Sequence, residues 1–199
     1  MPSHNNSDKF PEHSLELYID VVKKFIENLQ LKDVILSGHS MGGAVIQGFY
    51  FMYPDDVKAL VLIGTGGRLR VKPSIFEDLK SNFQGYVNGI ESAFCIKPSN
   101  DIIEDLKKDQ LKTDPYVISE DFRICDEFDT LDKTASIDIP CLIIVGDTDD
   151  MTPVKYAKFF HDKIKKSELE IIKEAKHYVM FEKPKHVNKA IENFIRSLK

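Results

Sequence analysis

The residues with the clearest chemical potential form the pentapeptide Gly38-His-Ser-Met-Gly42. A serine with glycine two positions to either side is typical of a nucleophile elbow, a tight strand-to-helix turn that lifts the hydroxyl into the open. Glycine is expected at both positions because a side chain there would keep the strand and the helix apart. Ser40 is therefore the candidate nucleophile. The backbone N–H of Met41, at the start of the following helix, is the candidate oxyanion donor.

A serine hydroxyl needs a base to accept its proton, and the base needs a carboxylate partner. His177 directly follows the last predicted strand, at the edge of a parallel sheet where active sites assemble. It is the candidate base. His39 is adjacent to the nucleophile, so its side chain is expected to point away and to have a structural role. The other histidines lie in the polar start of the chain or in predicted helices: His4, His13, His161 and His186.

The carboxylate is expected in the loop after the preceding strand, Gly146-Asp-Thr-Asp-Asp-Met-Thr-Pro153. This loop offers three candidates, Asp147, Asp149 and Asp150, which composition alone does not separate. One of them could instead cap the helix that is predicted to open at Pro153. The chain order serine, aspartate, histidine agrees with that of hydrolases built on a parallel sheet.

Strands and helices must alternate along the chain to position these side chains. Short apolar runs predict strands at 33–37, 59–63, 141–145 and 169–172. Amphipathic segments predict helices at 14–31, with Ser14 as N-cap, and at 41–53, 153–164 and 184–198. Nearly continuous apolar strands separated by helices indicate an α/β fold, a parallel sheet with helices on both faces.

The stretch 65–137 lacks a convincing strand pattern. Helices are predicted within it at 75–86, 101–111 and 119–128, with breaks at Pro73, Pro98 and Pro115. We therefore predict a helical cap at 65–137, inserted into a sheet domain that consists of 1–64 and 138–199.

Composition narrows the function classes. With 42% hydrophobic and 30% charged residues and a net charge of −5, the chain has the profile of one soluble domain. Its basic residues form no stripe, which argues against a nucleic-acid partner, and no apolar run reaches the ~18 residues of a membrane span. Cys95, Cys125 and Cys141 are widely spaced and indicate a reducing, cytoplasmic compartment without a zinc site.

Several segments besides the elbow carry a family resemblance. They are Leu62-Ile-Gly-Thr-Gly-Gly-Arg-Leu-Arg70, Cys125-Asp-Glu-Phe-Asp129, Gly146-x-x-Asp149-x-x-x-Pro153 and His177-Tyr-Val-Met-Phe-Glu-Lys-Pro184. With these, nearly the whole chain resembles the capped carboxylesterase-like branch of the α/β-hydrolase family. In that family the acid stands three residues after the loop glycine and four before the proline, which implies Asp149. The resemblance also implies that 64–67 is the exit into the cap and not a nucleotide loop.

The start of the chain departs from this family. Met1-Pro-Ser-His-Asn-Asn-Ser-Asp8 resembles the Leu-Pro-Gly-His-Gly-x-Ser-Asp segment that follows a fourth strand in relatives, with Ser3 and Asn5 in place of two glycines. The resemblance implies that the preceding strands are missing, together with the His-Gly loop that supplies a second oxyanion N–H. The strand at 34–37 is then expected at a sheet edge, open to self-association or to an N-terminal fragment.

The leading hypothesis is hydrolysis of a small to medium, mostly apolar carboxylic ester or thioester through an acyl-enzyme, without metal or organic cofactor. Ser40 would attack, His177 would move the proton and Asp149 would orient His177. One alternative is a catalytically silent remnant, or one half of a split hydrolase that needs an upstream polypeptide. Another is acyl transfer or C–C bond hydrolysis with the same triad. Serine at position 40 excludes hydrolases with an aspartate nucleophile.

Overall fold

The core of the protein is a four-stranded parallel sheet. The computed structural model describes residues 1–96 and 98–198. The strands are hydrogen-bonded in their chain order: β1 (Ile35–His39), β2 (Ala59–Ile63), β3 (Cys141–Gly146) and β4 (Ser167–Ile172). All carboxyl ends therefore lie at one edge of the sheet, and the predicted α/β fold class is confirmed.

Helices connect the strands. In chain order they are α1 (Leu15–Asn28), α2 (Met41–Met52), α3 (Pro73–Ser81), α4 (Phe83–Asn88), α5 (Asn100–Lys112), α6 (Pro115–Glu127), α7 (Val154–Lys163), α8 (Val179–Glu182) and α9 (Pro184–Ser197). Short 3-10 helices lie at Pro54–Asp56, Gly89–Ala93 and Thr134–Ser136. None of the described helices combines the length and apolar character that a membrane crossing requires.

The sheet is covered on both faces because alternate residues of its central strands point to opposite sides. Leu60 and Leu62 of β2 belong to a cluster with side chains of α1, α2 and α7. Val61 and Ile63 belong to a second cluster with side chains of α9. Every residue of β2 and β3 is buried. This burial on two faces explains why both strands read as continuous apolar runs.

Two boundary predictions in the helical stretch are wrong. The predicted helix at 75–86 is divided between α3 and α4 at Asn82, whose φ of −147° and ψ of 53° are not helical and whose side chain accepts a hydrogen bond from Gly85 N. Pro115 separates α5 from α6 as expected, but α6 begins at Pro115 itself and not at the predicted 119. That position suits proline, because the first helical N–H has no intrahelical acceptor. The division into core and cap stays a prediction.

The opening segment turns where the related motif has glycines. Ser3 and Asn5 have φ values of 62° and 51°, in the left-handed region that glycine favours. The Ser3 hydroxyl accepts a hydrogen bond from Phe10 N at 2.8 Å, and Ser3 N donates to Asp8 O at 2.9 Å. The segment thus keeps a glycine-type turn, which local hydrogen bonds stabilise.

Strand β1 lies at one edge of the described sheet, as expected for 34–37. Its outer side has no strand partner within residues 1–96 and 98–198. Large apolar side chains are exposed on α1 and just after it, with Phe25 60% and Leu29 56% exposed. An unpaired strand edge together with apolar surface is a template for association.

We expect the 199-residue chain, expressed alone, to self-associate through β1. Ser37→Lys places a charge on an exposed residue of this strand and should shift the population toward a 22.8 kDa monomer. Sedimentation velocity measures the monomer and the self-associated form. Ser81→Lys, at the exposed last residue of α3, is the matched control and should leave the association unchanged. A parent chain that sediments as a monomer would contradict the expectation.

Candidate active site

Ser40 lies at the junction of β1 and α2 in a strained backbone conformation. Its φ of 52° and ψ of −118° fall where side-chain-bearing residues are rare. Three hydrogen bonds hold the turn: Ser40 N donates to Ile63 O at 3.0 Å, and Ser40 O accepts from Gly43 N at 2.9 Å and from the Thr65 hydroxyl at 2.8 Å. Strain of this kind costs about 1–3 kcal/mol and persists where the surrounding structure enforces it.

The glycines around Ser40 have different roles. A side chain on Gly38 would overlap the Gly42 carbonyl, so the strand and the helix meet this closely only with glycine there. The expectation that a side chain would also keep strand and helix apart at Gly42 is wrong, because a Cβ there would meet no atom within 4 Å apart from its chain neighbours and the backbone of its own helix. Gly43 is the second close contact, since a side chain there would overlap Thr65.

Asp149 and His177 form a buried pair. Asp149 Oδ2 lies 2.9 Å from His177 Nδ1, and the two residues are 6% and 2% exposed. The Thr152 hydroxyl also donates to Oδ2, while the N–H groups of Met151 and Thr152 donate to Oδ1. Burial by itself would raise the pKa of Asp149, but His177 and the two Thr152 donors outweigh it and hold the pKa below its ordinary value.

The structure separates the three aspartates that the sequence left open. Asp147 Oδ2 lies 3.8 Å from Lys173 Nζ, and Asp147 Oδ1 accepts a hydrogen bond from Ala175 N. The Asp150 side chain is 68% exposed and lies near Lys176. Asp149 is the one that contacts His177. None of the three caps α7, which begins at Val154 without a side-chain cap.

A second close approach brings the acid loop and the histidine loop together. A side chain on Gly146 would overlap the carbonyls of Ala175 and Lys176, the two residues that precede His177. The loops after β3 and β4 can therefore touch. This contact places Asp149 and His177 within hydrogen-bond distance.

A structural role for His39 stays a prediction, and this residue lines the same cavity as Ser40. Its Nε2–H donates to the His177 carbonyl at 2.9 Å, and the two ring centroids are 4.6 Å apart. Burial, followed by the nearby His177 ring, lowers the pKa of His39 to about 3. His39 is therefore neutral at physiological pH, and it joins the elbow to the histidine loop.

Ser40, Met41 and His177 line one cavity of about 760 Å³. The helices between β2 and β3 supply apolar side chains to its wall, Tyr86, Val87, Ile90, Leu106, Ile118 and Phe122, and their residues Asp78, Asp109 and Asp121 also line it. Among the described residues, no hydrogen bond joins the Ser40 hydroxyl to the His177 ring. Such bonds are often long without substrate and tighten when it binds.

Cys125 is a further potential nucleophile in the cavity. Burial, with help from Asp121 and Asp126, raises the pKa of its thiol to about 12. The thiol stays protonated and unreactive near neutral pH. In the part of the chain that the structure describes, no three His, Cys, Asp or Glu side chains converge into a metal site.

Sequence reasoning missed a polar network at the cavity wall. His4 was assigned only to the polar start of the chain, yet its Nδ1 donates to Pro2 O and its Nε2 donates to Asp121 Oδ2 at 2.7 Å. A protonated ring can donate from both nitrogens, and the hydrogen bond to Asp121 raises the pKa of His4. Tyr18 donates to the other oxygen of Asp121 and lies 3.1 Å from the buried His13. The sequence signal that could have pointed to this network is His4 itself, the histidine of the opening motif.

Fold and site together define an α/β hydrolase: a serine elbow, an aspartate and a histidine follow three strands of a parallel sheet in that order. The family profile described as "Serine aminopeptidase, S33" matches residues 12–184. A solved thermophilic esterase is 37% identical, with a TM-score of 0.89, and the match covers 99% of this chain and 79% of that one. The chain belongs to this S33 family of α/β hydrolases, as the resemblance implied.

Two further proteins are similar to this chain, one in fold and one in sequence. The esterase of Exiguobacterium antarcticum has a TM-score of 0.93 at 18% identity, over 98% of this chain and 79% of that one. A Mycoplasma pneumoniae protein, whose name assigns it provisionally to the esterases and lipases, is 27% identical over 164 residues, 77% of this chain. This chain spans 60% of that relative's length.

Replacing Asp149 tests the site directly. We expect Asp149→Asn to lower kcat by about 10⁴-fold, because the imidazole loses the partner that fixes its tautomer. Asp147→Asn and Asp150→Asn are matched controls in the same loop and should cost far less. Steady-state ester hydrolysis measures all three. A larger loss for Asp147→Asn than for Asp149→Asn would contradict the assignment.

Proposed function

We propose that the protein is a serine hydrolase that cleaves a small to medium, mostly apolar carboxylic ester or thioester through an acyl-enzyme. The observation that carries this proposal is the buried Asp149–His177 pair, whose histidine lines the same cavity as Ser40 on its strained elbow. The positive φ of Ser40 gives further support, since strain of this kind clusters at functional sites.

In the acylation step Ser40 Oγ attacks the substrate carbonyl carbon while His177 Nε2 accepts the hydroxyl proton. Asp149 Oδ2 holds the Nδ1–H and stabilises the imidazolium that forms. As the tetrahedral intermediate collapses, the bond to the leaving alcohol or thiol breaks, and His177 gives that group its proton. Water, deprotonated by His177, then attacks the acyl-serine, which releases the carboxylic acid and restores Ser40.

The developing oxyanion is assigned to the N-terminus of α2. Met41 is the first residue of this helix, and the first N–H groups of a helix lack intrahelical acceptors. We propose the Met41 N–H as one donor. The second donor, from a His-Gly loop upstream in the related proteins, stays a prediction from the resemblance.

The cavity supports a mostly apolar acyl group. Its volume of about 760 Å³ and its aliphatic and aromatic wall suit a small to medium ligand.

The free thiols of Cys95, Cys125 and Cys141 are consistent with a reducing compartment, and we propose a cytoplasmic location.

A second candidate is one half of a split hydrolase, or a silent remnant. The unpaired outer side of β1 favours it, because a further strand supplied by another polypeptide or by a second copy could pair there. Ester turnover that rises when a polypeptide with further strands is added would support the split form.

The nucleophile assignment predicts the outcome of active-site labelling. A fluorophosphonate should label Ser40 covalently, and Ser40→Ala should abolish both labelling and ester turnover because no activated hydroxyl remains. Ser37→Ala, three residues upstream on an exposed position, is the control and should keep both. Labelling that persists in Ser40→Ala would rule out this nucleophile. A silent parent chain would favour the second candidate.

A further inference from the structure

Glu182 ends the short helix α8, five residues after His177, and the mechanism above gives it no role. Its half-buried carboxylate accepts three backbone hydrogen bonds. Oε1 accepts from Lys176 N at 2.7 Å, and Oε2 accepts from Cys95 N at 2.6 Å and Ile96 N at 2.8 Å. Hydrogen bonds to an ionised acceptor are short and about twice as strong as neutral ones.

The two oxygens bind two distant parts of the chain. Lys176 directly precedes the candidate base, in the loop after β4. Cys95 and Ile96 follow the 3-10 helix Gly89–Ala93, which belongs to the inserted helical stretch. Residues of that 3-10 helix line the cavity. The carboxylate therefore joins the histidine loop to the cavity wall.

Further contacts run along the same junction. His177 N donates to Ala93 O at 3.2 Å, and Lys176 Nζ donates to Ser92 O at 2.9 Å. The rings of Phe94 and Tyr178 stack with centroids 4.8 Å apart. Glu182 differs from these contacts because one side chain satisfies donors on both sides.

We infer that Glu182 is a positioning residue that fixes the backbone of the His177 loop and so sets the distance from the imidazole to Ser40. This inference rests on the proposed role of His177 as the base. Asp149 holds the ring at Nδ1, and His39 holds the carbonyl. Glu182 holds the backbone N–H of Lys176, the residue before His177. A shift of about 1 Å in a reacting group can cost about 10²-fold in rate.

The substitution Glu182→Gln tests this. A glutamine amide has one acceptor oxygen, so it can serve Lys176 N or the Cys95 and Ile96 pair but not both. We expect the downfield proton NMR signal of the His177 Nδ1–H to shift or broaden, and kcat/KM for a short-chain ester to fall about 10²-fold. Glu174→Gln is the matched control. Its side chain is 78% exposed and pairs with Lys183, so neither readout should change.

Esters of different acyl length distinguish two roles for Glu182: positioning of the base, or an effect confined to the cavity wall. Misplacement of the base lowers kcat/KM for acetyl and longer acyl esters in parallel. A loss confined to longer esters would overturn the inference, as would an unchanged His177 signal in folded Glu182→Gln.

If the glutamine variant does not fold, Glu182→Asp keeps the charge on a shorter side chain, and an unshifted signal there also overturns the inference. The NMR readout needs no turnover, so an inactive parent chain would contradict only the proposed function.

Discussion

The arrangement of the site depends on the close passage of β1 and α2 at Gly38. Any side chain at this position would overlap the Gly42 carbonyl and move the helix away from the strand. The close passage is what bends the chain sharply enough to give Ser40 its positive φ. Bonds from Ser40 to Ile63 and from Thr65 to Ser40 then tie the turn to the buried strand β2 and the residues after it. The candidate nucleophile is thus placed by the rigid sheet and not by a mobile loop.

The charge of Asp149 sets a second constraint. Its side chain is fully buried, and an ionised carboxylate in such a place costs several kcal/mol unless it is paired and hydrogen-bonded. The turn before α7 meets this demand with the Thr152 hydroxyl and two N–H groups, and His177 supplies the fourth donor. Gly146 makes the encounter sterically possible. Local turn chemistry and loop contact therefore act together to hold His177, the candidate base.

Much of this arrangement can be predicted from the sequence because it is local. The limits of β2 follow from a continuous apolar run, and Ser14 caps α1 as expected by accepting from Leu17 N.

The break at Asn82 was missed because the apolar spacing continues across it, while the side chain caps the next helix. The contact of His4 with Asp121 joins residues 117 positions apart and depends on how α6 packs over the opening segment. Periodicity carries no information about such a contact. The choice of Asp149 among three aspartates needed either the family spacing or the fold of the loop.

The central claim, an acyl-enzyme formed on Ser40, is tested most directly by trapping the intermediate. The protein would be mixed with an excess of a chromogenic short-chain ester, quenched in acid within milliseconds and digested for mass spectrometry. The account predicts a burst of leaving group and an acyl adduct on the peptide that contains Ser40. A burst with the adduct on another residue, such as Cys125, or steady turnover without any adduct at high substrate concentration would contradict it.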